Sequence, residues 1–117
     1  MVKENQKDFL QVLGYLFLRN GKIGKALVLF EALQQLSPAD PQVSRSLCYS
    51  YLLTQQYGQA LSQADKFLRE ASEGTSKKIG YLFKSRALWG LGQKEEARRM
   101  MTWFLDFKET RNAADSS

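Results

Sequence analysis

A spacing of 34 residues between similar segments is the feature that most constrains how this chain can fold. Ala26 and Ala60 are 34 residues apart, and Ala97 lies 37 residues beyond Ala60. Each alanine follows an apolar-periodic stretch and a short break. The breaks lie at Gly21, Gln55-Gln56 and Gly92. A repeat of this length is typical of units that are too small to bury a core alone and that stack on their neighbours.

The hydrophobic spacing within each unit is that of helices. It predicts six helices, at about 4–19, 22–36, 41–54, 57–71, 77–91 and 94–109. Asp40 and Pro41 supply a helix N-cap and a proline at the first helical position, and Gly21 and Gly92 follow predicted helix ends. The three extra residues before the third unit are assigned to the polar stretch 73–77. We expect one domain at 1–109 and a short polar tail at 110–117.

The matching positions resemble the tetratricopeptide repeat, a helix-turn-helix unit of this length. The residues that carry the resemblance are Leu13-Gly14, Phe17, Ala26, Phe30 and Pro38, then Leu47, Tyr51 and Ala60, then Tyr81, Ser85 and Ala97. The resemblance implies an all-α fold of three tandem hairpins, at about 7–40, 41–74 and 78–111, in a short right-handed solenoid with a concave groove. Small side chains are expected where the two helices of each hairpin approach closely. These are Gly14, Cys48 and Ser85 on the first helices and Ala26, Ala60 and Ala97 on the second.

The composition excludes most catalytic classes. Histidine is absent and Cys48 is the single cysteine, so His-based catalysis, a structural zinc site and an intrachain disulfide are all excluded. No phosphate-binding glycine loop occurs, and no apolar run approaches the ~20 residues of a membrane span. The charged first eight residues differ from a signal peptide. We therefore expect a cytoplasmic protein that is not an enzyme and that uses no cofactor or metal.

In tetratricopeptide arrays the first helix of each hairpin lines the groove. When the groove positions are carried over by repeat position, the resemblance implies that the following residues line the groove: Gln11, Tyr15, Leu18, Arg19, Arg45, Tyr49, Leu52, Leu53, Leu82, Arg86 and Trp89. Family members that hold a C-terminal carboxylate use Lys, Asn and Arg at positions where this chain has Gln11, Tyr15, Ser46, Ile79 and Phe83. An amphipathic helix or an extended apolar segment is therefore the expected ligand. The alternative is that some of these side chains pack within the array.

The last predicted helix has more apolar surface than packing on one side requires. On a helical wheel its apolar residues spread over about 200° of arc. They are Ala97, Met100, Met101, Trp103, Phe104, Leu105 and Phe107. The polar tail is too short to cover them, so Met100, Trp103 and Phe107 are expected to meet a partner or a second copy of the chain. The alternative is that twisting of the helix buries most of this surface.

Several local strings resemble the small YscY-type chaperones of bacterial type III secretion. They are Phe9-Leu10, Leu13-Gly14-Tyr15-Leu16 and Leu18 near the start, and Phe104-Leu105-Asp106-Phe107-Lys108 near the end. This family implies a cytoplasmic chaperone, without catalysis, that pairs with a small secreted YscX-type protein and with the inner-membrane export gate. A generic tetratricopeptide scaffold or co-chaperone is the alternative. The net charge of +5 and the aromatic residues leave a nucleic-acid-binding module as a third hypothesis.

Overall fold

The chain is helical in the part that the structure, a computed structural model, describes. Residues 4–72 and 75–116 are described, with side chains for residues 6–72 and 77–106. The elements are α1 (Glu4–Arg19), α2 (Ile23–Leu36), α3 (Pro41–Leu53), α4 (Tyr57–Glu70), α5 (Thr75–Gly90) and α6 (Lys94–Ser116). No strand occurs in these ranges. The predicted all-α class and the six helices are therefore confirmed for this part of the chain.

Helix ends follow from local sequence. Asp40 caps α3, its carboxylate accepting a hydrogen bond from the backbone N–H of Gln42 at 2.9 Å, and Pro41 occupies the first turn as predicted. The first five helices end close to their predicted limits. The sixth does not, because α6 runs to Ser116 through the segment 110–116 that was predicted as a tail. That segment contains no Gly or Pro, and its Ala and Arg residues favour helix.

Three turns of the same type close α1, α3 and α5. The second residue after each helix has a positive φ, of 75° at Gly21, 60° at Gln55 and 82° at Gly92. The next backbone N–H then donates to a carbonyl five residues back, as in a Schellman motif. These bonds join Lys22 to Phe17 at 2.8 Å, Gln56 to Tyr51 at 2.8 Å and Gln93 to Leu88 at 2.9 Å. The turns recur with the spacing that the sequence repeat has.

Helix contacts follow chain order, with an additional layer formed by the odd-numbered helices. Each helix packs on the next one, and α3 also packs on both α1 and α5. The centre of the core lies around α2, α3 and α4, where large side chains are at most 8% exposed. They include Phe30, Leu33, Val43, Leu47 and Tyr51. This arrangement puts α1, α3 and α5 side by side.

Within α1–α2, α3–α4 and α5–α6 the helices approach closely at six small residues, which we call the small-residue seam. They are Gly14, Cys48 and Ser85 on the first helices and Ala26, Ala60 and Ala97 on the second, and all are buried. The Cys48 thiol donates to the Ala60 carbonyl at 3.2 Å, and the Ser85 hydroxyl donates to the Ala97 carbonyl at 2.9 Å. A Cβ atom at Gly14 would lie 2.5 Å from the Phe30 ring of α2. The predicted close approach at these positions is confirmed.

Candidate functional site

A cleft of about 390 Å³ opens along the side of α1, α3 and α5. Each of the three helices contributes side chains to it, because the odd-numbered helices lie next to one another. Its lining residues are Tyr15, Leu18, Arg19, Arg45, Ser46, Tyr49, Leu53, Ile79 and Phe83. We call this set the α1–α3–α5 cleft. It contains six of the residues that the repeat position had assigned to a groove: Tyr15, Leu18, Arg19, Arg45, Tyr49 and Leu53.

Aromatic rings form the walls of the α1–α3–α5 cleft. Tyr49 of α3 stacks on Phe83 of α5, with ring centroids 5.8 Å apart and an angle of 24° between the planes. Tyr15 of α1 is 59% exposed. Tyrosine and phenylalanine have few rotatable bonds, so a ligand that covers them gains a large contact area at low entropic cost. The walls are therefore suited to bind an apolar surface.

The charged groups of the α1–α3–α5 cleft are all basic. Arg19 and Arg45 line it, and no Asp or Glu does. Among the described side chains, neither arginine forms an ion pair or a hydrogen bond within the chain. Both are exposed. The cleft thus combines apolar walls with positive charge that the protein itself leaves unneutralised.

A second, smaller pocket holds two of the predicted groove residues. Arg86 and Trp89 lie with Tyr57, Ser85, Gly90 and Met101 in a pocket of about 330 Å³ where α4, α5 and α6 meet. The Lys94 ammonium lies 5.3 Å from the centroid of the Trp89 ring. Arg86 and Trp89 thus line a different depression from Tyr15 and Tyr49, and the prediction that all four bind one partner stays a prediction.

Three other predicted groove residues lie elsewhere. Leu52 is 3% exposed and belongs to the core, which corrects its assignment to the groove. Gln11 lies in a polar depression near the start of α3, where its amide donates to the Asp40 carboxylate at 3.4 Å. Leu82 is half-buried and is not part of the α1–α3–α5 cleft.

The apolar face of α6 is partly covered by α5. Trp103 stacks on Tyr81, with centroids 5.9 Å apart, yet remains 51% exposed. Lys78 lies 5.4 Å from the centroid of the Phe104 ring, and Met100 is half-buried. Phe107 lies outside the residues whose side chains are described. The apolar face of α6 is thus neither fully buried within the chain nor fully free for a partner. It is partly covered by α5, and Trp103 leaves part of it exposed.

Ile79 and Phe83, which the sequence placed at the positions used by carboxylate-holding family members, line the α1–α3–α5 cleft. Sequence reasoning missed another group of surface residues. The outer side of α1 carries Phe9, Val12 and Leu16, which are 65%, 57% and 45% exposed. Their spacing of three and four residues marks a single helical face.

The two strongly shifted titrating groups lie outside the cleft. Burial raises the pKa of the Cys48 thiol to about 12, with a smaller lowering by Arg86 and a smaller raising by Asp65. Burial also raises the pKa of Tyr51 to about 12, and its hydroxyl donates to the Glu31 carboxylate at 2.7 Å. Both groups are protonated at neutral pH. They serve packing rather than nucleophilic chemistry.

Across the described residues, no group of three or more Cys, Asp or Glu side chains is placed to hold a metal ion. No helix in the described ranges is long and apolar enough to cross a bilayer. No protein-family model matches the chain, and no curated protein is significantly similar to it.

Proposed function

We propose that the chain is a tetratricopeptide array of three hairpins, α1–α2, α3–α4 and α5–α6. The equivalent turns at Gly21, Gln55 and Gly92 support this assignment, because one backbone geometry recurs at the repeat spacing. The small-residue seam supports it too, since each hairpin has a small residue facing an alanine twelve positions later. The contacts of α3 with α1 and α5 fit a curved stack whose first helices line a concave side.

We further propose that the α1–α3–α5 cleft binds an apolar segment of another protein. The observation that carries this proposal is the exposure of Tyr15 and Tyr49 beside Phe83 in one concave site. Aromatic side chains that line an open cleft are costly to leave in water and are strong anchors for a partner. An amphipathic helix or an extended chain would insert side chains between these rings.

The partner that the resemblance favours is a small secreted component of a type III secretion system. In this role the protein is a cytoplasmic chaperone of the YscY type. It binds the apolar segments of a YscX-like protein, keeps them from aggregating and brings the client to the inner-membrane export gate. Neither catalysis nor a cofactor is required. The exposed part of Trp103 on α6 is the second contact surface for this client or for a second copy.

The experiment that tests the proposal is affinity purification of the tagged protein, in salt, from the bacterium that encodes it. Three forms are compared: the unmodified protein, the double variant Tyr15→Ala/Tyr49→Ala, and Val28→Ala as the matched control. Val28 is 68% exposed on α2 and is not part of the cleft. Co-purifying proteins are identified and quantified by mass spectrometry, and each form is checked for its melting temperature.

We expect a small secreted protein to co-purify in stoichiometric amount with the unmodified form and with Val28→Ala. We expect it to be lost from the double variant. Retention of that protein by the folded double variant contradicts binding in the cleft. A stoichiometric partner that no secretion system exports favours the alternative of a general tetratricopeptide scaffold. Recovery of RNA or DNA, lost between low and moderate salt, favours the nucleic-acid hypothesis.

A further inference from the structure

We infer that the segment bound in the α1–α3–α5 cleft is an amphipathic helix with an acidic side chain, whose carboxylate pairs with Arg19 and Arg45. This inference rests on the proposed function, because it specifies the chemistry of the partner for the same cleft. The acidic group is a side chain within the segment and not a chain terminus. The rest of the segment supplies the apolar residues that cover Tyr15, Tyr49 and Phe83.

The first support is the charge inventory of the cleft. Arg19 comes from the last turn of α1 and Arg45 from the first half of α3, so positive charge borders the cleft from two helices. No acidic residue lines the cleft to neutralise it. A partner that covered these guanidinium groups with apolar surface alone would pay their desolvation without compensation. A carboxylate removes this penalty.

The second support is the contrast with basic groups elsewhere on the surface. Several other basic side chains reach an acidic one in the chain, with N–O distances of 2.8 to 3.3 Å, although Lys22, Lys25 and Arg69, which lie outside the cleft, do not. The pairs are Lys7–Asp40, Lys84–Asp65, Arg98–Glu95 and Arg99–Glu96. Arg19 and Arg45 have no such partner among the described residues. Their guanidinium groups are thus available for the two-pronged hydrogen bonding that arginine makes with carboxylates.

The residues that line the cleft favour a helical peptide over a nucleic acid. Leu18, Leu53 and Ile79 form its apolar part, and apolar side chains match those of an amphipathic helix rather than sugars and phosphates. Single-stranded nucleic acid is held by a groove that follows the backbone with many positive charges. Within the cleft only two arginines are present. Two charges suit one or two carboxylates on a helix surface.

The test uses three fluorescent helical peptides with blocked ends, so that no terminal charge contributes. All share Leu and Phe at helical spacing along one face, and they differ only at two border positions, which carry Glu, Gln or Lys. An oligothymidylate serves as the nucleic-acid probe. Binding is measured by fluorescence anisotropy to the unmodified protein, to Arg19→Gln/Arg45→Gln and to the matched control Arg69→Gln. Arg69 is exposed in the last turn of α4 and is not a cleft residue.

The inference expects the Glu peptide to bind roughly tenfold or more tightly than the Gln peptide, since a hydrogen bond to a charged group contributes about that much. The Lys peptide should bind most weakly. Arg19→Gln/Arg45→Gln should abolish the preference for Glu while still binding the Gln peptide, and Arg69→Gln should keep the preference. All variants change exposed side chains, so their melting temperatures should match that of the unmodified protein.

Three results would overturn the inference, and each is distinguishable from the others. Equal affinity for the Glu, Gln and Lys peptides removes the acidic requirement but leaves the cleft as an apolar binding site. Absence of binding by all three peptides counts against the proposed function itself. Arginine-dependent binding of the oligothymidylate, without peptide binding, replaces both with the nucleic-acid hypothesis.

Discussion

The small-residue seam and the α1–α3–α5 cleft both consist of positions that recur along the sequence, but the constraints on their residues are opposite. In the seam the helix pairs α1–α2, α3–α4 and α5–α6 each have a small residue (Gly, Cys or Ser) on the first helix and Ala on the second, and all six are buried. In the cleft the equivalent helices share one aromatic position, at Tyr15, Tyr49 and Phe83, but differ at others. At the same spacing of 34 residues, Leu53 takes the place of Arg19 and Ile79 that of Arg45. The seam fixes the distance between helices, so its residues are limited to small ones. The cleft residues are limited only by what binds there.

The difference teaches where a substitution in this protein affects stability and where it affects recognition. A side chain that enlarges the seam must push two helices apart, since protein interiors have no spare volume. A side chain removed from the cleft leaves the helix positions unchanged. The following predictions probe this contrast in order of decreasing effect.

At neutral pH the largest expected effect is that of Gly14→Ala. The new methyl group would lie 2.5 Å from the Phe30 ring, which is itself buried between helices, so the ring or α1 must move. We expect a loss of about 1 to 3 kcal/mol in the free energy of unfolding. Gly24→Ala is the matched control, because nothing lies within 4 Å of that methyl group and alanine favours helix. Urea unfolding that gave equal stabilities for both variants would contradict the close approach.

A second effect is a loss of stability at alkaline pH. Folding raises the pKa of Cys48 from 9.0 to about 12, so the unfolded chain loses the thiol proton first. The contribution of the Cys48 thiol to the free energy of unfolding is complete below pH 9.0 and is lost as the pH rises toward 12. The free energy of unfolding falls by up to about 1.4 kcal/mol per pH unit in this range. Tyr51 adds to the loss in the same direction above its ordinary pKa of 10.0.

The matched variant for the alkaline effect is Cys48→Ser. Serine occupies the equivalent position in the third hairpin, where Ser85 makes the same bond to a carbonyl, so the seam is preserved. We expect the melting temperature of Cys48→Ser to fall less steeply between pH 9 and 12 than that of the unmodified protein. Parallel curves for the two proteins would show that the Cys48 thiol does not titrate on unfolding.

A third, smaller effect is a gain in stability from Gln55→Gly. Gln55 has a φ of 60°, whereas the equivalent positions carry glycine. The left-handed conformation costs a side chain about 1 kcal/mol, and the greater freedom of glycine in the unfolded chain offsets part of the gain. We expect a net increase of about 0.5 kcal/mol by chemical denaturation. Gln35→Gly, within α2, should destabilise by about 1 kcal/mol instead. A loss in both would mean that the turn does not strain Gln55.

The smallest effect on stability is expected for Tyr15→Ser. Tyr15 is 59% exposed, so the free energy of unfolding should change by less than about 0.5 kcal/mol. Binding of the Glu peptide should nevertheless weaken by roughly tenfold or more, because an aromatic anchor is lost. A melting temperature that falls together with the affinity would assign Tyr15 to the core and remove the contrast between seam and cleft.

The helices and the seam could be predicted from sequence because they depend on local spacing. The period of apolar residues, the cap at Asp40 and the recurrence of small residues each act within a few helical turns. The cleft depends on how the hairpins turn relative to one another. Adjacent residues on a helix point about 100° apart, so Leu52 enters the core while Leu53 lines the cleft. No local pattern distinguished these two leucines.

The third hairpin was the hardest to predict, because its repeat spacing is 37 residues rather than 34. Assigning partner-binding positions by register selected Arg86 and Trp89, which lie at the second pocket, and gave Phe83 only as a position where carboxylate-holding family members have another residue. The twist between α3 and α5 decides which turn of α5 faces α1. The position of α5 depends on side chains packed between helices, such as Phe67 and Leu68 of α4 against Gly80 of α5, and the repeat consensus does not specify these contacts.

The position of α3 has a consequence for how the molecule opens. This helix contacts α1, α2, α4 and α5, whereas α1 and α6 are the two ends of the stack. Fraying from either end therefore leaves α3 covered on the other side. Amide hydrogens of α3 should exchange with solvent only through global unfolding, while those of α1 and α6 exchange through cheaper local openings. Since the cleft is built partly on α1, a bound partner would also slow exchange at this end of the chain.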